Sequence, residues 1–126
     1  MIAATEKPKP ISVKARKAKA RGVQNTVRDD VRAMYFLSEH DVRGTLMGIT
    51  GPDLQLSDEA RKHFPFAVEC KCQNALNIWQ GLEQAASHAK LDSTNPTPLL
   101  VFKRDRSEIY VALKWSDFKK LITNRK

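Results

Sequence analysis

Long apolar runs are missing from this sequence: no stretch approaches the roughly 20 residues that a membrane helix needs. The start, Met1-Ile2-Ala3-Ala4-Thr5-Glu6-Lys7-Pro8, lacks the apolar core of a secretion signal. Cysteine is scarce, with two residues, Cys70 and Cys72, placed two apart. A strand would put both on one face, which suits buried thiols better than a disulfide and fits a reducing cytoplasm. No further cysteine supplies the ligands of a zinc site, and His40, His63 and His88 lack ligand spacing. No internal repeat is present. Acidic residues are scarce at the start. Residues 1–21 hold seven Lys or Arg against Glu6 alone, while the rest of the chain holds fifteen basic against thirteen acidic residues. The net charge of +8 therefore sits mostly in an amino-terminal arm suited to a polyanion such as DNA, RNA or an anionic surface.

With 126 residues, 41% hydrophobic and 29% charged, the chain has the size and composition of one soluble domain with one core. Residues 1–13 carry Pro8 and Pro10 and little that can pack. They are expected to be a disordered basic arm, leaving 14–126 as the domain. The spacing of Val23, Val27, Val31 and Met34 predicts a helix that begins no earlier than Lys14 and covers Arg21 to Phe36. Gly44, Gly48 and Gly51 interrupt the next segment, and a short strand is expected around Thr45 to Ile49. A second strand, Asp53 to Leu56, is followed by a brief helix capped by Ser57.

The central stretch runs from Phe64 to Gln73. Strand alternation gathers Phe66, Val68, Cys70 and Cys72 on an apolar face, and Ala67, Glu69, Lys71 and Gln73 on the other. A helix from Ala75 to Ala89, capped by Asn74, would bury Ala75, Ile78, Trp79, Leu82, Ala85, Ala86 and Ala89, with Asn77, Gln80, Gln84 and His88 on another face. Strands at Pro98–Phe102 and Ile109–Leu113, joined by a turn at 104–107, precede a last helix, Asp117 to Ile122, with Trp115 packed beneath it. The helix between the third and fourth strands allows that pair to be parallel. The expected fold class is α/β, a small mixed β-sheet flanked by helices in the order α-β-β-β-α-β-β-α.

Asp53 on one strand and Glu69 and Lys71 on the next bring two acids and a cation toward one face. Hydrolysing a phosphodiester needs such groups, since magnesium asks for only one or two carboxylates and keeps several waters. Pro52-Asp53 followed by Glu69-Cys70-Lys71 resembles the signature of the PD-(D/E)XK nuclease superfamily, and most closely its small phage and archaeal Holliday junction resolvase-like branch. The resemblance spans residues 14 to 122. It implies a restriction-endonuclease-like core and a Mg2+-dependent endonuclease acting on DNA, in particular branched DNA, as a homodimer in the cytoplasm, that of a host cell if the protein is phage-encoded, with Mn2+ able to substitute. It further implies catalysis by Asp53, Glu69 and Lys71, and a metal held by Asp53, Glu69 and the backbone carbonyl of Cys70. Where that branch usually carries a glutamate on the first helix, this chain has Gln24, which can hydrogen-bond a metal-bound water or a phosphate but adds no charge.

Further residues are candidates for DNA contact. They are Lys14, Arg16, Lys17, Lys19 and Arg21 in the arm, Arg43 and Thr45 in the glycine-rich approach to Asp53, Gln84 on the second long helix, and Lys103, Arg104 and Arg106 at the hairpin tip. Phosphate contacts by a basic arm do not distinguish DNA from RNA. A nicking, flap-cleaving or sequence-specific nuclease on the same core, and a DNA-binding or assembly protein without catalysis, are the alternatives.

Overall fold

The computed structural model describes residues 12–46 and 48–124, so the expected arm lies outside them except for Ser12 and Val13. Helix α1 spans Val13–Tyr35 and starts slightly earlier than its apolar stripe suggests, because Ser12 caps it: the Ser12 hydroxyl oxygen accepts the Ala15 N–H at 3.1 Å. Gly22 lies inside the helix. Val23 and Val31 are buried and Val27 packs against them, but Met34 is exposed and Tyr35 takes the expected inward place. Phe36 ends the helix in the left-handed conformation, φ 54°.

The first strand, β1 (Val42–Gly44), lies before the stretch expected to hold it, and pairs antiparallel with β2 (Leu54–Leu56). Thr45, Leu46, Gly48 and Ile49 of that stretch belong to the intervening loop instead, turned by Gly48 at φ 86°. Helix α2 (Asp58–His63) follows, capped as expected by Ser57. Strand β3 (Phe66–Cys72) pairs parallel with β4 (Thr97–Lys103), joined by the crossover helix α3 (Ile78–Ala89). Strand β5 (Tyr110–Ala112) adds antiparallel to β4, and α4 (Trp115–Thr123) closes the described chain. Among the described residues no helix is long and apolar enough to cross a membrane.

The α/β class is as the sequence indicates, but the single sheet is not. Strands β1 and β2 form one small sheet, and β3, β4 and β5 form another. Asp53 sits at the seam, in a bend just before β2. Its N–H donates to Val68 O at 2.8 Å, and its carboxylate accepts the Cys70 N–H at 2.6 Å. A side-chain oxygen thus stands where a ladder carbonyl would.

Both faces of β3 are covered. Val68, Cys70 and Cys72 join Val23, Val31, Val101 and Leu54 in the main core beneath α1. Ala67 and Leu100 are buried on the opposite face, where Gly81, Ala85 and Ala89 of α3 approach. The approach is close: a Cβ on Gly81 would lie 2.9 Å from Leu100 Cδ2. Ala85 and Ala89 are buried as expected, but Gly81 joins them on the inward side of α3 while Ile78 and Trp79 of the expected stripe are exposed. Asn77 caps the helix in place of Asn74, and Trp79 is 77% exposed. Trp115 is also not packed beneath α4. It begins that helix, 68% exposed, with its ring 5.9 Å from Phe118.

Candidate active site

Seven residues of β3 place Glu69, Cys70 and Lys71 in sequence along one strand, and the seam with β2 sets Asp53 beside them. A cleft of about 550 Å³ runs along this edge between α1 and the loop after β1, and Asp53, Glu69, Cys70 and Lys71 all line it. From α1 it takes Lys17, Arg21, Gln24 and Arg28, and from the loop Thr45. The spacing of the four α1 residues puts them on one helical side, so three cations and an amide face two acids and a lysine.

Glu69 is 3% exposed, which a lone carboxylate would not tolerate. Its Oε2 lies 2.9 Å from His88 Nδ1 and its Oε1 3.6 Å from Lys71 Nζ. The sequence reading places His88 on the polar side of its helix and does not assign it to the site. The polar side of α3 that carries Gln84 carries His88 one turn later, and a strand buried on both faces requires a partner for any charge it holds. That requirement was the available signal. Gln84 itself is exposed on α3 and does not line the cleft.

Burial pushes the Asp53 carboxyl up from 3.8 to about 6, and the negative charge of Glu69 adds to the rise. The Cys70 N–H, Lys71 and His88 oppose it. Burial first, then the neighbouring Asp53 and Glu69 charges, keep the Cys70 thiol protonated well above its ordinary range. Cys70 and Cys72 are both free and buried. A carboxyl whose proton affinity is raised by burial and by a neighbouring carboxylate, as at Asp53, is a group whose charge a divalent cation would relieve. A strand residue directs its N–H and C=O to the same edge. The Cys70 N–H meets Asp53, so the Cys70 carbonyl is directed to the cleft edge as well. Among the described residues no group of three or more His, Cys, Asp or Glu is arranged to hold a metal ion. The donor set here is two carboxylates and one carbonyl, which fits a magnesium ion that retains waters and not a cage of side chains.

Gln24 stands where a Cβ on Gly44 would be: an alanine there would collide with Gln24 Nε2. The glycine gives the amide its place at the cleft mouth. Thr45 donates its hydroxyl to Pro52 O at 2.5 Å, and Asp53 O accepts the Thr45 N–H at 2.9 Å, so Thr45 fixes the segment leading into Asp53.

Other expected contacts lie elsewhere. Lys14 and Arg16 are exposed on α1 and do not line this cleft. Arg43 points to the outer side of the β1–β2 pair, where it lines a separate cleft with His40 and Gln55. Lys19 turns away to an ion pair with Asp105 at 2.8 Å. Asn74 also binds Asp105, and Lys19 and Asn74 together hold the Asp105 carboxyl below its ordinary range. Lys103 and Arg106 border Lys19 at this hairpin end, with Arg104 beside them, away from the two acids. Arg28, not singled out from the sequence, is in the cleft, braced by Asn25 and Asp29.

No family model matches the chain, and neither a curated protein nor a solved structure matches it.

Proposed function

We propose that this chain is a magnesium-dependent endonuclease that hydrolyses phosphodiester bonds in DNA, with branched DNA as the substrate class its sequence signature favours. The observation that carries the reading is that Asp53, Glu69 and Lys71 line one cleft with Lys17, Arg21 and Arg28. Asp53, Glu69 and the Cys70 carbonyl would hold the ion. Bound there, magnesium supplies Lewis acidity toward a phosphoryl oxygen and a more acidic water. The cationic side of α1 receives the phosphate backbone. Lys71 carries its charge to the reacting phosphate and orients the attacking water. His88 holds the carboxylate of Glu69 from behind, so that the group is fixed in a buried place. Gln24 offers a hydrogen bond to a water or phosphate at the mouth of the cleft.

A second reading is a DNA-binding protein without catalysis. It is favoured by the way the acids are already engaged: both Glu69 oxygens have partners and Asp53 accepts a backbone N–H. One experiment separates the two. Labelled four-way junctions, flaps, plain duplexes and RNA are incubated with Mg2+, Mn2+, Ca2+ or chelator. Cutting with Mg2+ or Mn2+ that the chelator abolishes supports the nuclease, and ranking of the substrates tests the preference for branches. Retention of DNA with no product under any cation supports the second reading and overturns the first.

A further inference from the structure

A single exposed apolar side chain is ordinary on a protein surface, and only grouping gives it meaning. In the loop after β1, Leu46 is 74% exposed and Ile49 is 53% exposed. Both line the cleft that holds Asp53 and Glu69. The Ile49 N–H donates to Leu46 O at 3.2 Å. This bond closes a four-residue turn and keeps the two Cα atoms within about 7 Å. Gly48, at φ 86°, supplies the left-handed residue of that turn. Thr45 ties the foot of the turn to Asp53 O and Pro52 O. Thr45 and Ile49 also line the separate cleft on the outer side of β1–β2. The loop is therefore a crest between two clefts, fixed at its foot and apolar at its tip.

We infer that Leu46 and Ile49 form an apolar wedge that enters between stacked bases of DNA held in the cleft. The inference rests on the proposed reading that DNA runs along this cleft, and adds how a branch is told from a continuous duplex. The two walls of the cleft define the occupant. Lys17 and Arg28 on the α1 wall are cationic and suit phosphates. Leu46 and Ile49 on the loop wall offer neither charge nor a side-chain hydrogen bond, and suit the faces of bases. A polyanion with a stacked, apolar interior meets both demands. Leucine and isoleucine are among the side chains that proteins insert between base steps, partly unstacking them.

Burial of the two side chains is of the same order as the cost of parting one base step. On a continuous duplex the gain and the cost nearly cancel. At a branch point stacking is already interrupted, so the cost is least and the burial is gained outright. The wedge thus discriminates by stacking and not by base sequence. Its position suits the chemistry as well. Leu46 directly follows Thr45, whose N–H donates to Asp53 O, so the opened step lies beside the phosphate that the two acids would address.

The test places the fluorescent base aminopurine, which brightens on unstacking, at the branch of a four-way junction and, separately, in the middle of a plain duplex. The full chain is added with Ca2+ in place of Mg2+. Fluorescence is expected to rise at the branch and not in the duplex. Leu46→Ala combined with Ile49→Ala should abolish the rise and lower the preference for junction over duplex, read as the ratio of dissociation constants, about tenfold. The slope of log K against log salt should be unchanged, since no charge is removed. Leu46→Met combined with Ile49→Leu, apolar and similar in volume, should keep the rise. Both positions are more than half exposed, so circular dichroism should show every variant folded. A parent chain that binds the junction without brightening the probe overturns the inference, and so does a rise that survives the double alanine variant. Failure of the nuclease reading looks different: a chain that opens the branch yet yields no product with Mg2+ keeps the wedge and loses the catalysis. A chain that binds no DNA overturns both.

Discussion

His88 Nδ1 on α3 lies 2.9 Å from Glu69 Oε2 on β3, so one imidazole secures the most deeply buried charge in the described chain. Removing it leaves Glu69 with Lys71 at 3.6 Å as its remaining ion-pair partner. His88→Ala is expected to cost about 1–3 kcal/mol of stability, the usual penalty for a buried polar group that loses a partner. A urea titration checks this as a lower midpoint at unchanged slope. In cleavage assays Glu69→Gln should remove all product and Lys71→Ala should slow the reaction about 10²–10³-fold. His88→Ala, which does not touch substrate in the proposed reaction, should retain measurable cutting.

Asp53 ties acidity to stability. Its carboxyl rises from 3.8 to about 6 on folding, because burial and then Glu69 disfavour its charge. Between those values the folded chain keeps a proton that the unfolded chain has released. Stability therefore falls as pH rises from ~4 to ~6, by up to about 3 kcal/mol, and is level in this respect above. Asp53→Asn keeps an acceptor for the Cys70 N–H and removes the ionisation. The variant should be more stable than the parent at pH 7, and the gap should close below pH ~4. Thermal melts across that range read the difference directly. With the proposed cation bound at pH 7, the parent should gain stability and the variant should not.

The cleft and the outer side of β1–β2 should differ in their response to salt. Lys17 lines the cleft and Arg43 does not. In DNA-binding titrations Lys17→Gln should reduce the slope of log K against log salt by about 0.9, the amount for one phosphate contact. Arg43→Gln should leave the slope unchanged. Equal effects from the two variants would remove the cleft as the path of the backbone.

Gly81 reports the packing of α3. Alanine normally improves a helix interior by about 1 kcal/mol. At this position its Cβ would meet Leu100, a fully buried side chain with no room to retreat. Overpacking of this kind costs typically about 1–3 kcal/mol, so Gly81→Ala should be neutral to destabilising, against the helical preference. A denaturation curve showing a gain of 1 kcal/mol or more would mean that α3 stands further from β4.

The α/β order and the alternation of β3 were legible because each rests on local periodicity. Val23, Val27 and Val31 mark α1 by spacing alone, and Glu69 and Lys71 share a strand side by parity alone. Parity assigns Ala67, Glu69, Lys71 and Gln73 to the second side of β3 but does not tell that α3 lies over it. Burial of Glu69 follows from that tertiary cover, and so does the role of His88, nineteen positions away. Trp79 misled for a related reason. Hydrophobicity pointed it inward, whereas the close approach of α3 to Leu100 selects Gly81, Ala85 and Ala89, which size and not apolarity distinguishes. The break between the two sheets was hidden too, since a carboxylate replacing one ladder acceptor leaves no periodic trace. Lys19 reads as one more cation of the arm until Asp105, far along the chain, comes beside it.

The seam at Asp53 has a mechanical consequence. The residue that would bind the ion also moors the β1–β2 pair to the larger sheet, through its own N–H and through its side chain. Replacement by alanine would cast off the second of these moorings and let that pair breathe, so amide exchange along Val42–Gly44 and Leu54–Leu56 should quicken. An asparagine in the same place would keep the line fast while silencing the charge. Chemistry and anchorage can thus be told apart at a single position.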